Sequence, residues 1–195
     1  MRILRCALDD TIFQNQRYKH FVVTIRLCKI EDAAVLQDLA CRTFYDTFKG
    51  TADEEDFPAA FADWFNIPAL EARIADPLTE VLLAEDATGR AAGFAIFRRH
   101  APPFPAQRTE GFELQNLYLE TWVHGTGLAQ ELMQRYFDGA RAYGLDFLWL
   151  GVWEHNYRAQ RFYTKMGFAY TGHDHPFPIH NTPQTDQWWS RVLVQ

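Results

Sequence analysis

The stretch ELQNLYLETWVHGTGLAQELM, residues 113–133, decides the fold. Its first part alternates like a β-strand, and its last part carries apolar residues at helical spacing. Glycines at positions 125 and 127 let the backbone turn tightly and approach a ligand without an obstructing Cβ. The free N–H groups and the helix dipole at such a turn favour an anion. The stretch therefore predicts a strand, a turn and a helix that bind a phosphate.

The kind of phosphate ligand does not follow from this turn alone. A Walker A loop needs Gly-Lys-Ser/Thr, which the stretch lacks. A dinucleotide-binding turn needs a third glycine at position 130, where this chain has Gln130. A tight strand-to-helix turn without a ligand remains the alternative.

A second stretch, WLGVWEHNYRAQRFYTKMG at residues 149–167, again runs from a strand into a helix. Asn156 can cap that helix, and Gly167 stands where the helix should end. Tyr163 lies two turns into the helix, on the face of Ala159. A tyrosine on an apolar helix face is usually a core residue, so this stretch alone leaves both core packing and catalysis open.

Together the two stretches resemble the GCN5-related N-acetyltransferase (GNAT) superfamily. Residues 124–129 match its acetyl-CoA motif Q/R-x-x-G-x-G/A, with His124 where Gln or Arg is usual. Its motif N-x-x-A-x-x-F-Y-x-K-x-G-F is matched by Asn156, Ala159, Phe162, Tyr163, Lys165, Gly167 and Phe168. The likeness follows the element order over residues 22–194. Residues 42–48 (RTFYDTF), 149–172 and 184–186 (QTD) further resemble the PaiA-type spermidine/spermine N-acetyltransferases.

The remaining pattern predicts one mixed α/β domain over residues 22–195, preceded by an extension at residues 1–21 that has no clear period. We predict strands at residues 22–27, 79–84, 92–97, 112–119, 147–152, 168–171 and 187–193. Helices are predicted after Asp32 as a cap, at residues 54–65 and 68–74, and within residues 127–144 and 156–167. The resemblance implies a GNAT-type domain, a mixed central sheet of about seven strands flanked by helices. It also implies a V-shaped split between the strands ending at Leu119 and Val152.

The resemblance implies that acetyl-CoA is the co-substrate and lies in this split. Backbone groups of Leu117, Tyr118 and Leu119 would pair with the pantetheine arm like an added strand, and Asn156 would contact the arm from the other side. The pyrophosphate would be held by His124, Gly125, Thr126, Gly127, Leu128 and Ala129. Because His124 replaces the usual Gln or Arg, we expect this contact to rely on backbone N–H groups.

Acetyl transfer to an amine requires an acid and a base. An alkyl ammonium, with a pKa of about 10.4, must lose a proton before it attacks, and the CoA thiolate must gain one. Tyr163, a phenol with a pKa near 10, is the predicted general acid. Since neither motif contains a cysteine, we expect direct transfer without an acetyl-enzyme.

Glu113 is the candidate base. It lies on the strand of Leu117 and Leu119 with the same facing parity, because side chains alternate with a period of two. Its position also matches the glutamate base of histone-type members of the superfamily. An exposed strand glutamate with no role, or a water relay, remains the alternative.

The resemblance makes a polyamine such as spermidine or spermine the first candidate for the acceptor. Its ammonium groups would need carboxylates, for which the candidates are Asp46, Asp53, Glu54, Glu55, Asp56, Glu154 and Asp186. A peptide N-terminus, an amino acid or another small amine is the alternative acceptor. A regulator that binds acyl-CoA without turnover is a further alternative, which the presence of Tyr163 disfavours.

Charge and composition argue against several other classes. The chain has 25 acidic and 19 basic residues, a net charge of -6 and no Lys/Arg block, so a nucleic-acid partner is not expected. The 3 cysteines form no C-x-x-C pair, which argues against a disulfide framework and a structural zinc. No apolar run approaches the ~20 residues of a membrane span. Because the first residues also make a poor signal peptide, we predict a cytoplasmic protein without a membrane partner.

Residues 173–180, HDHPFPIH, hold four potential metal ligands: His173, Asp174, His175 and His180. The segment lacks the H-x-x-x-H spacing of a helical site, and two prolines interrupt it. We expect no metal and instead a polar loop over the acceptor site. Trp188 and Trp189 alternate on the final strand, so at most one of them belongs to the interface of a possible homodimer.

Overall fold

Residues 22–194, the part of the chain that this computed structural model describes, form a mixed sheet of seven strands. The strands are β1 (Val23–Leu27), β2 (Thr79–Asp86), β3 (Ala91–His100), β4 (Gly111–Leu119), β5 (Phe147–Trp153), β6 (Ala169–Pro176) and β7 (Thr185–Val192). Their order across the sheet is β1-β2-β3-β4-β5-β7-β6. The β4–β5 pair is parallel, whereas the β2–β3 pair is the predicted antiparallel hairpin. The predicted fold class is confirmed, and the predicted extension at residues 1–21 lies outside the described residues.

The helices in residues 22–194 are α1 (Ala33–Phe48), α2 (Asp56–Trp64), α3 (Ile67–Ala75), α4 (Leu128–Ala142) and α5 (Tyr157–Lys165). No helix in this part of the chain is long and apolar enough to span a bilayer. Asn156 caps α5 as predicted, since its Oδ1 accepts from the N–H of Ala159 at 3.0 Å.

The predicted cap of α1 is wrong. Although Asp32 directly precedes the helix, its carboxylate makes no cap hydrogen bond. It accepts instead from the guanidinium of Arg26 at 2.6 Å and from the N–H of Lys29 at 2.7 Å. Asp32 therefore fixes the start of α1 to β1.

Helices cover both faces of the sheet. One face packs against α4 and α5, and the other packs against α1, α2 and α3. Because strand residues alternate, the neighbours Leu82 and Leu83 of β2 belong to opposite sides of the sheet. Leu36 and Leu39 of α1 are fully buried, and each contributes roughly 1.5–3 kcal/mol of hydrophobic stabilisation.

The last two tryptophans lie on opposite faces of the sheet, as predicted. Trp189 is buried in the core under α4 and α5. Trp188 packs into a smaller cluster with Phe104, Phe147 and Trp149. Both rings therefore pack inside the domain, and the predicted homodimer stays a prediction.

The sheet splits between β4 and β5. Parallel pairing joins residues 112–114 to residues 148–150, and these two strands form no further pair in the described chain. The split follows directly on a β-bulge in β4, where Leu114 pairs with Phe97, Asn116 pairs with Ile96, and Gln115 is the extra residue. Past the bulge, residues 115–119 and 151–153 diverge into the predicted V.

The bulge also reverses the facing of the strand. Glu113 pairs with Arg98, whereas Leu117 pairs with Ala95. Arg98 and Ala95 are three positions apart on β3, so their side chains point to opposite faces of the sheet. Each paired residue of β4 points to the same face as its partner on β3, so Glu113 and Leu117 also point to opposite faces. The predicted common facing of Glu113, Leu117 and Leu119 is therefore wrong, because one inserted residue shifts the period.

Strand β6 is longer than predicted. It continues to Pro176, so that His173, Asp174 and His175 lie in a strand rather than in the predicted loop. A register irregularity between Tyr170 and Asp174, with Gly172 at a φ of 85°, lets the pairing with β7 resume beyond it.

Candidate active site

A cleft of 840 Å³ passes through the sheet at the split between β4 and β5. Its walls on one side are the end of β4, the start of α4 and the first two turns of α5. On the other side they are α1, the end of α2, and aromatic rings that include Trp64, Trp153 and Phe177. The lining residues of the cleft thus come from both faces of the sheet.

The β4 edge along this cleft is open. Leu117, Tyr118 and Leu119 line the cleft, and they pair only with β3 on their far side. Their N–H and C=O groups on the β5 side therefore remain available to an extended ligand, in the way a peptide adds a strand to a sheet edge. The three residues predicted for the pantetheine arm are brought together here.

The glycine turn lies at the end of the cleft beyond Leu119. Gly125 and Gly127 have φ values of 80° and 95°, and a Cβ at either position would meet open space. Among the described residues, the N–H groups of Gly125, Gly127, Leu128 and Ala129 donate to no backbone carbonyl. These groups and the N-terminus of α4 form a site suited to an anion.

The side chains around this turn are otherwise occupied. The Thr126 hydroxyl donates to the carbonyl of Val123 at 2.8 Å. The side chain of Leu128 is buried in the core, so of that residue only the N–H group faces the turn. The side chains of Thr126 and Leu128 therefore leave the backbone N–H groups as the free donors of these residues at the turn.

A cation nevertheless lies beside His124. Nη1 of Arg158, in the first turn of α5, is 3.2 Å from Nδ1 of His124, and Nε2 of His124 is 3.3 Å from the carbonyl oxygen of Leu119. Burial lowers the pKa of His124, and the charge of Arg158 lowers it further. A neutral ring with its proton on Nε2 fits both contacts. Arg158 was not recognised from sequence, because the contact joins two separate motifs.

Two predicted residues of the second motif face the middle of the cleft. Asn156 lines the cleft. The oxygen of its side-chain amide caps the helix, which leaves the NH₂ group of that amide for a ligand. Tyr163 is 8% exposed, lines the cleft and makes no hydrogen bond through its hydroxyl to the described residues. Burial, and then the carboxylate of Asp186, raise the pKa of Tyr163 above its ordinary value. The phenol is therefore protonated at neutral pH.

Glu113 lies outside the cleft lining. Its carboxylate is nearly buried and accepts hydrogen bonds from His100 Nε2 and Gln115 Nε2, both at 2.7 Å. The His100 side chain is 37% exposed, so this pair leads towards solvent and away from the cleft. The structure does not bring Glu113 to the place where it would touch a bound amine.

Asp186, near the start of β7, is an acidic residue that the structure does bring to the cleft. It lines the cleft, its side chain is only 14% exposed, and its Oδ1 atom has no hydrogen-bond partner. Burial raises the pKa of Asp186 to about 7. A carboxylate that titrates near neutral pH can take up a proton efficiently under physiological conditions. The sequence named Asp186 only as one of seven acidic candidates.

Gly151 makes room for this carboxylate. A Cβ at Gly151 would lie 3.0 Å from Asp186 Oδ2, 3.2 Å from a ring atom of Trp188 and 3.3 Å from His175 Nε2. Such contacts are tighter than ordinary van der Waals distances. The absence of a side chain at position 151 therefore opens the floor of the cleft beside Asp186.

The other acidic candidates are mostly engaged elsewhere. Asp46 lines the cleft but forms an ion pair with Lys49 at 2.8 Å. Asp56 is buried and accepts from Thr182, His180 and Asn181, and Glu54 accepts from the Tyr45 hydroxyl. Asp53, Glu55 and Glu154 are not part of the cleft lining. Of the seven candidates, the structure brings Asp46 and Asp186 to the cleft.

The histidine-rich segment does not gather into a metal site. His180 contacts Asp56, whereas His175 faces Asp186 and His173 stacks on Phe104. In residues 22–194 no group of three His, Cys, Asp or Glu side chains is arranged to hold a metal ion.

Comparisons with known proteins agree with this geometry. The sequence profile of the acetyltransferase (GNAT) family matches residues 35–168. An uncharacterised N-acetyltransferase of Mycobacterium tuberculosis is 36% identical over 144 residues, which is 72% of this chain and 85% of the relative. An uncharacterised N-acetyltransferase of Lactobacillus delbrueckii subsp. lactis is 28% identical over 152 residues, covering 78% of this chain and 87% of the relative.

Among solved structures, the chain is similar to the PaiA N-acetyltransferase of Thermoplasma acidophilum, determined in complex with coenzyme A. The TM-score is 0.71 at 20% sequence identity, and the superposition covers 88% of this chain and 99% of the other. At this level of identity the likeness describes the fold.

Proposed function

The chain belongs to the acetyltransferase (GNAT) family, and from that premise we propose that it transfers the acetyl group of acetyl-CoA directly to the primary amine of a small molecule. One observation carries the proposal: the Tyr163 hydroxyl and the Asp186 carboxylate face the same cleft where β4 and β5 separate. One group is held protonated, and the other titrates near neutral pH. Together they can supply the acid and the base of the reaction.

The geometry supports acetyl-CoA as the co-substrate. Its pantetheine arm would extend along the open β4 edge at Leu117, Tyr118 and Leu119, and its pyrophosphate would lie on the N–H groups of residues 125–129. Arg158 and the NH₂ group of Asn156 would contribute side-chain donors from α5. In this orientation the thioester reaches the middle of the cleft beside Tyr163.

The transfer requires one proton acceptor and one proton donor in the cleft. The acceptor enters as an ammonium ion and gives one proton to the Asp186 carboxylate. The free amine attacks the thioester carbonyl, so that a C–N bond forms and the C–S bond breaks. Tyr163 gives its proton to the departing thiolate and regains one from the nitrogen. The products are an amide, CoA thiol and one proton left on Asp186.

Glu113 remains the alternative base predicted from sequence. Because it lies behind the strand and is bonded to His100 and Gln115, it could take the proton only through intervening groups. We favour Asp186, whose unpartnered oxygen faces the cleft directly. The two assignments differ in which substitution removes the acidic limb of the pH profile.

A polyamine acceptor stays a prediction. It has the support of the fold similarity to PaiA and of an aromatic wall that includes Phe48 and Trp153, which can hold ammonium groups through cation–π contact. Against it stands the small number of free carboxylates, since Asp46 is already paired with Lys49. The cytoplasmic location is likewise still a prediction.

The proposed function is tested with purified protein, acetyl-CoA and a panel of amines that includes spermidine, spermine, amino acids and short peptides. CoA binding is measured by calorimetry, thiol release by a chromogenic assay, and the acetylated product by mass spectrometry. We expect stoichiometric thiol and amide with at least one amine. Tight CoA binding without thiol release from any amine would instead identify a non-catalytic acyl-CoA-binding regulator.

A further inference from the structure

Arg73 is a guanidinium inside the cleft without a partner. It belongs to α3, it is half-buried, and it lines the cleft. Within residues 22–194 it forms no hydrogen bond or ion pair. Burial lowers the pKa of Arg73, the charge of Glu113 partly offsets this, and the charge of Arg98 adds to it. A desolvated cation of this kind is unfavourable unless an anion binds next to it.

A second, smaller cavity adjoins Arg73. It has a volume of 210 Å³ and is lined by Ala72, Arg73, Asp76, Thr79, Arg98 and Gln115. Arg73 and Gln115 also line the main cleft, so the two spaces share a wall. This small cavity, the side pocket, therefore lies beside the cleft at the bulge of β4.

The charges in this side pocket are not balanced. Asp76 accepts from the N–H of Leu78 and the hydroxyl of Thr79, and it pairs with Arg98 at 3.4 Å. The Nε atom of Arg98 is buried and still has no hydrogen-bond partner. The lining of the small cavity thus holds one carboxylate, which is paired with Arg98, and two guanidinium groups. The carboxylate of Glu113 acts on Arg73 from outside this lining without an ion pair, so that Arg73 and the Nε atom of Arg98 both keep unused donors.

The missing anion is not a phosphate of CoA. The glycine turn proposed for the phosphates follows Leu119, and Gln115 is four positions before Leu119 on β4. At about 3.3 Å per strand residue, the side pocket lies roughly 13 Å back along β4 from the start of that turn. Arg73 therefore faces the acceptor side of the reacting centre.

We propose that the side pocket between Arg73 and Arg98 binds a carboxylate of the acceptor, and that the acceptor is an amine of the amino-acid type rather than a polyamine. The guanidinium groups of Arg73 and Arg98 would bind the carboxylate, and the ammonium group would reach Asp186. A polyamine would instead place further ammonium groups near an unpaired guanidinium, which like charges disfavour. This inference rests on the proposed function, because it assigns the acceptor half of the same cleft.

The test uses pairs of acceptors that differ only in the carboxylate charge. These are L-phenylalanine with L-phenylalaninamide, and L-lysine with L-lysinamide, with spermidine added for comparison. The variant Arg73→Gln removes the charge, Arg73→Lys keeps it, and Arg135→Gln alters an exposed arginine of α4 as the control. Thermal melting of each variant checks folding, and acetyl-CoA affinity checks that the co-substrate site is intact.

We expect the wild type to favour the carboxylate member of each pair, and Arg73→Gln to reduce this preference in kcat/KM by about tenfold or more. Differences in intrinsic amine reactivity cancel, because the same pair is compared in both proteins. Arg73→Lys should retain part of the preference, and Arg135→Gln all of it. A preference that Arg73→Gln leaves unchanged, or spermidine as the best acceptor of the panel, overturns the inference.

A separate binding measurement distinguishes failure of this inference from failure of the proposed function. Each acceptor is titrated into the complex of the protein with CoA and followed by intrinsic tryptophan fluorescence. If no amine is acetylated but the amino acids bind in an Arg73-dependent manner, the transferase proposal fails and the carboxylate site stands. If spermidine is acetylated and no Arg73-dependent binding occurs, the carboxylate site fails and the transferase stands.

Discussion

Asp186 and His175 are directly opposite each other on β7 and β6, with Asp186 Oδ2 at 3.8 Å from His175 Nε2. The His175 Nδ1 atom is 3.1 Å from the Pro176 carbonyl oxygen, so its proton points there and Nε2 presents a lone pair. Nε2 of His175 and Oδ1 of Asp186 are both buried without a hydrogen bond. The 3.8 Å separation is longer than a hydrogen bond, so the two side chains interact only through their charges and dipoles. His175, whose ring centroid is 3.9 Å from that of Trp188, therefore lies beside the carboxylate that we propose as the base.

Replacing Asp186 should remove the acidic limb of the activity profile, which is the rise in activity with increasing pH. Because only the ionised carboxylate accepts a proton, kcat/KM of the wild type should rise with pH and level off above about 7. In Asp186→Asn we expect activity to fall by about 10²–10⁴-fold and the inflection near 7 to vanish. Glu113→Gln is the matched comparison, and it should keep the inflection. Loss of the inflection in Glu113→Gln alone would assign the base to Glu113.

The same substitution should stabilise the fold at alkaline pH. The folded-state pKa of Asp186 is raised from 3.8 to about 7, so between these values the folded state binds more protons than the unfolded state. The free energy of unfolding therefore falls as pH rises towards 7 and stays reduced above it. Urea unfolding should show Asp186→Asn gaining about 2–3 kcal/mol on the wild type between pH 5 and pH 8. An equal difference at both pH values would show that burial does not disfavour the ionised carboxylate.

Tyr163→Phe should separate chemistry from binding. The substitution removes the proton donor and keeps the ring in the core, so kcat should fall by about 10²–10⁴-fold. Acetyl-CoA affinity, measured by calorimetry, should change little, because the hydroxyl bonds to no described residue. A variant with unchanged kcat would remove Tyr163 from the mechanism.

Two glycines with similar backbone angles provide an internal control for the phosphate site. Gly127 and Gly89 have φ values of 95° and 81°, and neither has an atom within 4 Å of the place a Cβ would take. Alanine at either position should cost about 1 kcal/mol of stability, since both backbones are left-handed. Only Gly127→Ala should also weaken acetyl-CoA binding, because its Cβ would enter the space over the turn. Equal CoA affinity in the two variants would contradict the placement of the pyrophosphate.

The sequence predicted the sheet, the glycine turn and the capped helix because local signals mark them. The glycine turn, the Asn156 cap and the apolar strands each depend on residues close together in the chain, and the structure has them where they were expected. The acceptor half depends on contacts between distant elements. Arg73 reaches the cleft through the packing of α3, and Asp186 meets His175 through the register of two strands.

The predicted facing of Glu113 was wrong for a specific physical reason. The bulge at Gln115 is not marked by a glycine or by any other residue type that would predict it. It nevertheless reverses the face of the sheet to which each later side chain of β4 would point under strict alternation. Counting by two from Leu119 back to Glu113 therefore reaches the wrong face. The strand of His175 was likewise cut short in the prediction, since Gly172 and two prolines are typical of a loop.

The open edge of β4 means that a bound co-substrate would supply hydrogen-bond partners that the sheet itself lacks at the split. Without a ligand, residues 115–119 have backbone groups that no neighbouring strand satisfies on the β5 side, and pantetheine would fill that place as a short non-peptide strand. Resistance to unfolding should then follow the acetyl-CoA concentration, rising by about 2.7 kcal/mol at a hundredfold excess over Kd. Amide exchange should slow most at residues 115–119. The free energy of unfolding would thus be highest when acetyl-CoA is abundant. When acetyl-CoA is scarce, local opening would be most frequent at the split between β4 and β5.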